Sequence, residues 1–559
     1  MLFPNLKNFW QSIKQDRFLL LALFTGLLLR GLNPTFGSPS LYISNDEAIA
    51  HLSAFNMIAE KTPISIANYT PLGAYVQIPF LILSFVAMKF YGYVQNISDF
   101  ELFVLTHEGF FLFIPRLISA LFGTLTILVV YKISHALFSE KRIAIIAAFL
   151  AAISYNFVHA SHFGRPWSAS LFFISCALYF AIKKKVFGAY FLIAIAYGFH
   201  QVGLLFLPLV FILVPVKKDF KGFISVLTCA LMFALFTSLT LKQGVVESIK
   251  SGQSFIRSDV VISDLLSGNF KLAESIVRTI GSNITGNFIA NIVLTDGIIF
   301  AFAVVGIIVH KKNITTRNLL LFVFLYFLFA SLFFHPLVRY LVPLFIILIP
   351  FSSYAFVYLF EKKAIIIVCL IVLASVNSIW WNYLYLKKPT FIQAHEWIER
   401  SVPVGVPIAY TGGRFQTFAP DKDAIDAIRV VNPGSYNRLA NILDNKNVTN
   451  VSNIVYLGDF PGETKLDRFK SASGNRRFIY VVDYYLDPKD RLFLEDEKYF
   501  EIVVKFSPVK DEEEYRLPEP LFDSNSKFPS RNYNSNISKF SLERMGPYFE
   551  ILRIKNQNL

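Results

Sequence analysis

The chain has 559 residues, of which 54% are hydrophobic and only 16% charged, where a water-soluble protein carries about a quarter charged residues. The bilayer is therefore its solvent, and a soluble globular fold is excluded for most of its length. The net charge of +14 does not mark a nucleic-acid binder, because Lys and Arg fall in short clusters between apolar runs, where they set membrane orientation.

Lys7, Lys14 and Arg17 precede an apolar stretch that has no small-residue cleavage site after it, which predicts an uncleaved first span over 18–32. A polar first outer loop, 33–71, follows, and its sequence SPSLYISNDEAIAHL reads as an interfacial helix capped by Ser44 or Asn45. Asp46 and Glu47 stand at its start. A carboxylate at the membrane surface can act as general base for a hydroxyl if its surroundings keep its pKa useful. Adjacent acids also simply charge a first helical turn, and position alone weighs the two readings equally. The next apolar run, 72–91, is long enough to span, but a crossing there would move every later basic cluster to the wrong side. It is expected to be re-entrant, dipping in and returning, or to lie along the outer interface.

Further spans are predicted near 109–131, 143–160, 168–182, 187–200, 202–215, 223–241, 288–309, 318–334, 340–360 and 364–384. Basic clusters at 141–142, 183–185, 217–221, 311–317 and 362–363 separate them. The weave has about eleven crossings, with a cytoplasmic N-terminus and everything after residue 386 outside. Cys176, Cys229 and Cys369 each fall inside an apolar run, so no disulfide framework or cysteine zinc site is expected.

The weave places several polar segments on the outer face. His159, His162 and Arg165 lie in HASHFGRPWSAS, where the two histidines could serve a metal or an anion. Without a fixed third ligand the metal case is poor, and phosphate contact by Arg165 is the better functional reading. Interfacial anchoring by His, Arg and Trp explains the same residues about half the time. His335, Arg339 and Tyr340 open a later span, where an arginine can pair with a lipid phosphate or simply snorkel. Arg30, Arg116 and Asp296 lie in or beside apolar runs, where each charge costs roughly 2.5–3.5 kcal/mol and calls for a partner. Asp296 is a candidate second acid.

After Lys388 the composition turns polar. A helix over AHEWIERSV, strands near 406–410, 478–482 and 500–506, and a last strand over 548–554 predict a soluble extracytoplasmic α/β domain over 387–559, beside a transmembrane domain over 1–386.

Several pieces recur in order: NDEA after the first span, YTPLGAY, PRLISALFGTLTILVVYKISHALFSEKRIAIIAAFLAAIS, HFGRP and HPLVRYLVPL. In this order the chain resembles the GT-C glycosyltransferases that use polyprenyl-phosphate sugars, the class of protein O-mannosyltransferases and lipid A aminoarabinose transferases (glycosyltransferase family 39-like). WIERSVPVGVPIAY also looks like the start of that family's outer C-terminal domain. The resemblance implies a multi-pass α-helical GT-C-like fold in the cell (plasma or inner) membrane. It implies Asp46 as general base with Glu47 beside it, Tyr69 bordering the donor pocket, and Arg339 with Tyr340 near the lipid phosphate. The implied partners are a polyprenyl-phosphate-linked sugar, a lipid, protein or polysaccharide acceptor, and membrane lipids. Many members have an acid after the Arg-Pro of the second outer loop, whereas Trp167 follows Pro166 here. His162 or Asp296 then compensates, or the site works without metal. A divalent metal cation stays open as a cofactor, because a diphosphate leaving group more often brings one. The implied chemistry is a single, inverting displacement. The alternative is a transporter or flippase of a lipid-linked or anionic solute, which intramembrane charges fit equally well; the large outer domain speaks against it. An envelope assembly scaffold is a third reading.

Overall fold

The computed structural model describes residues 16–37, 47, 51, 53–55, 57–58, 71–106, 110–214, 220–240, 290–331, 338–403, 406–411, 454–456, 477–485, 499–507, 543–544 and 548–555. They form two compact units. The first takes Met1–Pro34, Ile49–Phe80 and Ile114–Asn382; the second takes Thr35–Ala48, Leu81–Phe113 and Tyr383–Leu559.

Among the described residues the first unit is helical. Helix α1 (Arg17–Gly31) begins under the Asp16 side chain, which accepts from Leu19 N, and the chain leaves it through Asn33 at φ 51, a left-handed conformation that asparagine tolerates. Two short helices follow, α2 (Leu72–Tyr75) and α3 (Ile78–Phe90), the latter running into the second unit. In the second unit lies α4 (Ile97–Thr106). Back in the first, α5 (Phe113–Phe138), α6 (Lys141–Ile153), α7 (Tyr155–His162), α8 (Trp167–Ile182), α9 (Val186–Phe199), α10 (Leu207–Leu213) and α11 (Phe220–Thr240) succeed one another, with a 3₁₀ turn at Gln201–Phe206. The last are α12 (Ala290–His310), α13 (Ile314–Ser331), a 3₁₀ segment at Val338–Leu344, α14 (Phe345–Phe360) and α15 (Ala364–Tyr385). Each predicted run thus carries a helix.

Among the described residues four helical runs are long and apolar enough to cross a membrane, Leu72–Phe90, Phe110–Phe138, Tyr340–Phe360 and Ala364–Ser401, and α6 with α7 makes a fifth if that 50° bend lies within one span. The chain is a multi-pass helical membrane protein. Its outward side chains agree: Phe24, Leu83, Phe324 and Ile365 are each more than 60% exposed, which suits lipid and not water. The 72–91 run has no reversal. It is one helical run interrupted at Val76 and Gln77, so the dip-and-return form is not what the backbone adopts, and a crossing or an interfacial course remains.

Close packing uses glycine where helices touch backbone to backbone. A Cβ at Gly306 of α12 would stand 2.0 Å from the Phe351 carbonyl oxygen of α14, so only glycine permits this approach.

In the second unit, helix α16 (Thr390–Ser401) buries Phe391, Ile392, Ala394 and Ile398 on one face. The strands are β1 (Ile408–Thr411), β2 (Ile454–Tyr456), β3 (Tyr480–Tyr485), β4 (Phe500–Phe506) and β5 (Tyr548–Ile554), ordered β2-β1-β3-β5-β4 in one mixed sheet. β1 runs parallel to β2 and β3, while β5 is antiparallel to β3 and β4. Strand β2 lies in a stretch where no strand was expected, and β1 begins two residues later than the pattern suggested. Phe36 meets Tyr385 edge to face at 5.0 Å, tying the first loop to this unit.

Candidate functional site

The turn between α7 and α8 is built from HFGRP. Arg165 N donates to Phe163 O at 2.8 Å, and Pro166 caps α8. Two hydroxyls then lock the turn: Ser119 Oγ donates to Arg165 O at 2.9 Å, and Ser168 Oγ to Ala160 O at 2.9 Å. Arg165 is 6% exposed, with its guanidinium 5.3 Å from the Phe163 ring centroid.

Arg165 lines a small open cleft with Gly73, Gln77, Ser119, Pro166 and Phe199. The Gly73–Gln77 segment therefore meets the HFGRP turn directly. A Cβ at Gly73 would stand 2.8 Å from Pro166 Cβ, so glycine is what lets the two segments close. Gln77 Nε2 donates to Gly73 O at 2.8 Å, which leaves Gln77 Oε1 to accept from His51 Nδ1 at 2.9 Å. That arrangement makes Nδ1 the protonated nitrogen of His51 and leaves Nε2 with acceptor character in the neutral ring. Both residues are buried.

Trp167 joins two further turns of this unit. Its ring lies 4.0 Å from His200 and 5.5 Å, edge to face, from Tyr340. His200 in turn caps the 3₁₀ turn by accepting from Val202 N at 3.1 Å, and Tyr340 O accepts from Tyr326 Oη at 2.5 Å. Where the family resemblance expects an acid, an aromatic anchor joins three turns. His159 packs against Tyr155, Phe163 and Trp381, and His162 against Phe163, so both histidines sit in aromatic surroundings. Arg116 is buried and donates to Pro34 O at 3.0 Å.

Asp296 does not line this cleft. Its carboxylate is 3% exposed and accepts from Ser154 Oγ, Tyr155 N, Asn156 N and Asn156 Nδ2 at 2.7–3.0 Å, which commits it to the start of α7. Among the described residues no three His, Cys, Asp or Glu side chains stand close enough to hold a metal ion.

Of the expected site residues, the structure brings together Arg165 and the 73–77 segment in one cleft, with Tyr340 reached through Trp167. Glu47 is helical and buried, and belongs to the second unit. Asp46, Tyr69 and His335 lie outside the described residues, and Arg339 is described by its backbone, within Val338–Leu344. Sequence reading overlooked His51, Gln77 and Ser119. A signal existed for two of them: His51 follows Glu47 by one helical turn, and Gln77 is the only amide side chain in the apolar run 72–91.

No family model matches the chain, and no curated protein matches it. Among solved structures it is similar to the oligosaccharyltransferase AglB of Archaeoglobus fulgidus, in complex with an inhibitory peptide and a dolichol-phosphate, at 15% identity and a TM-score of 0.44, covering 84% of this chain and 70% of that one. It is also similar to ArnT of Cupriavidus metallidurans bound to undecaprenyl phosphate, at 13% identity and a TM-score of 0.43, covering 89% of this chain and 96% of that one. At such identities and TM-scores the likeness assigns no activity and no residue role to this chain.

Proposed function

We propose that the chain is a membrane glycosyltransferase that moves a sugar, hexosyl or pentosyl, from a polyprenyl-phosphate carrier to an acceptor hydroxyl on the extracytoplasmic face. The reading includes about eleven crossings, a cytoplasmic N-terminus, residues 72–91 along the outer interface, and an outer domain from residue 387. One observation supports it: a buried arginine, Arg165, lines a cleft where two separate segments meet, a setting suited to a phosphate whose lipid tail lies among the helices.

The step is a single displacement. The acceptor oxygen attacks the anomeric carbon as its proton passes to Asp46, and the carbon–oxygen bond to phosphate breaks with the electron pair leaving on the phosphate. Arg165 and Arg339 are assigned to stabilise that departing charge, with Tyr69, His162, His335 and Tyr340 bordering the donor. Backside attack inverts the anomeric configuration. A monophosphate leaving group is balanced by cationic side chains, so the step is written with protein groups alone.

The test is transfer of labelled sugar from polyprenyl-phosphate sugars by the purified full-length chain in liposomes. Asp46→Asn should lower kcat by about 10²–10⁴ while protein level and carrier flipping stay unchanged. Flipping without transfer in the wild type would instead establish the transporter reading.

A further inference from the structure

Two helices of the first unit are broken, and the breaks face each other. The α6–α7 run bends by 50° between Ile153 and Ser154, and α12 leaves helical geometry at Asp296, with φ −126 and ψ 36. Broken backbone at membrane depth persists only where its freed amides and carbonyls find partners inside the protein. Here two full charges supply them. Arg30 of α1 donates through Nη1 to Ala152 O at 2.9 Å and Gly26 O at 3.0 Å, and through Nη2 to Ala151 O at 2.8 Å. On the other side Asp296 receives Tyr155 N and Asn156 N, the first amides of α7. The cation thus sits at the negative end of α6 and the anion at the positive end of α7. Ser378 Oγ donates to Ile153 O, and Asn377 Nδ2 to Thr295 O, the carbonyl beside the second break.

Arg30 is packed beside two glycines: a Cβ at Gly26 would meet Ile127 Cδ1 first and stand 3.1 Å from Arg30 Nη1, and one at Gly123 would meet Ser161 first and stand 3.1 Å from Arg30 Cδ. Asn156 extends the same network, its Nδ2 reaching Asp296 Oδ2 at 2.7 Å and Thr295 Oγ1 at 3.0 Å. A plain span would need none of these groups. What the bend accomplishes is to re-aim α7, whose last turn carries His159 and His162 and leads directly into Arg165.

We propose that Arg30 and Asp296 are positioning residues for the donor site, holding the break at Ile153–Ser154 so that α7 delivers Arg165 to its cleft. The proposal rests on the glycosyl-transfer reading for its activity arm and on geometry alone for its second arm.

The experiment uses the full-length chain in liposomes with Asp296→Asn, which keeps one acceptor oxygen, Asp296→Leu, which keeps none, and Arg30→Lys, which keeps charge without the two-pronged geometry. Asp296→Asn and Arg30→Lys should raise the donor KM about tenfold with kcat changed less, and Asp296→Leu should lose kcat/KM by about a hundredfold. In parallel, spin labels on Glu140→Cys and Ala160→Cys, in a background with Cys176, Cys229 and Cys369 replaced, report the α6–α7 distance without any substrate. It should be narrow with native Arg30 and Asp296, shifted or broadened with Asp296→Leu, and intermediate with Asp296→Asn. Unchanged distances in all variants would overturn the proposal, as would shifted distances with unaltered KM and kcat. A wild-type chain inactive with every donor, yet with the distance shift present, would overturn the glycosyl-transfer reading and uphold the capping role.

Discussion

Gly73→Ala is the sharpest probe of the cleft. The added Cβ would lie 2.8 Å from Pro166 Cβ and 3.3 Å from Pro166 Cγ, whereas carbon atoms rest at about 3.5–4.0 Å. Roughly 0.7–1 Å must be made up. A proline ring has no rotamer through which to swing away, so the backbone of 72–75 or of the 163–166 turn must move. Overpacking of this kind costs about 1–3 kcal/mol. The displaced atoms belong to the cleft itself, because Gly73 O anchors Gln77 and Pro166 follows Arg165. A misplacement near 1 Å lowers kcat/KM by up to about a hundredfold. Gly31→Ala is the control, since nothing lies within 4 Å of a Cβ at that position. Transfer kinetics and thermal stability of both variants in the same liposomes decide the matter. Gly73→Ala within twofold of wild type in kcat/KM, at equal protein level, would refute the reasoning.

Three further outcomes follow from the packing and charge. Gly306→Ala should lower the unfolding free energy by about 1–3 kcal/mol, because its Cβ meets the Phe351 backbone, which cannot rotate aside; a detergent-melting midpoint equal to wild type would contradict it. Trp167→Ala should cost about 3–5 kcal/mol and loosen both His200 and Tyr340, whereas Trp167→Phe should keep most of the stability; equal melting temperatures for the two variants would argue against the anchor. Burial holds His395 below the ordinary histidine value near 6.5, outweighing the opposite pull of Glu399 and Glu396. The folded α16 therefore binds a proton less readily than the unfolded chain. Its contribution to stability is complete above pH about 6.5 and is lost as pH falls toward the lowered folded value. The protection factors of amides 390–401, corrected for intrinsic exchange, should fall over that window and lose part of their pH slope in His395→Asn; an unaltered slope would count against it.

The helices and most strands were legible because their signals are local. Hydropathy over 18 or more residues locates α5, α14 and α15, and the alternation of Phe500–Phe506 and Tyr548–Ile554 predicts their strands. Strand β2 escaped because Ile454–Tyr456 is three residues in an Asn-rich stretch, too short for a period to register. The 72–91 run was judged by charge parity, which concerns loops and says nothing about whether the chain reverses inside the run.

For the cleft, the order of HFGRP and PLGAY along the chain was legible, but their mutual contact was not. The partners of the buried charges were illegible for a physical reason. Arg30 reaches carbonyls 121 and 122 residues away, and Asp296 reaches amides 140 and 141 residues away, so no window of local sequence contains both ends of either bond. By itself the sequence determined where long apolar helices form, where most strands of the C-terminal region form, and that charges at 30 and 296 need partners. Only the tertiary structure decided that those partners are the two sides of the α6–α7 break, because a hydrogen bond between helices depends on how they pack, and packing is not written in the period of any one of them.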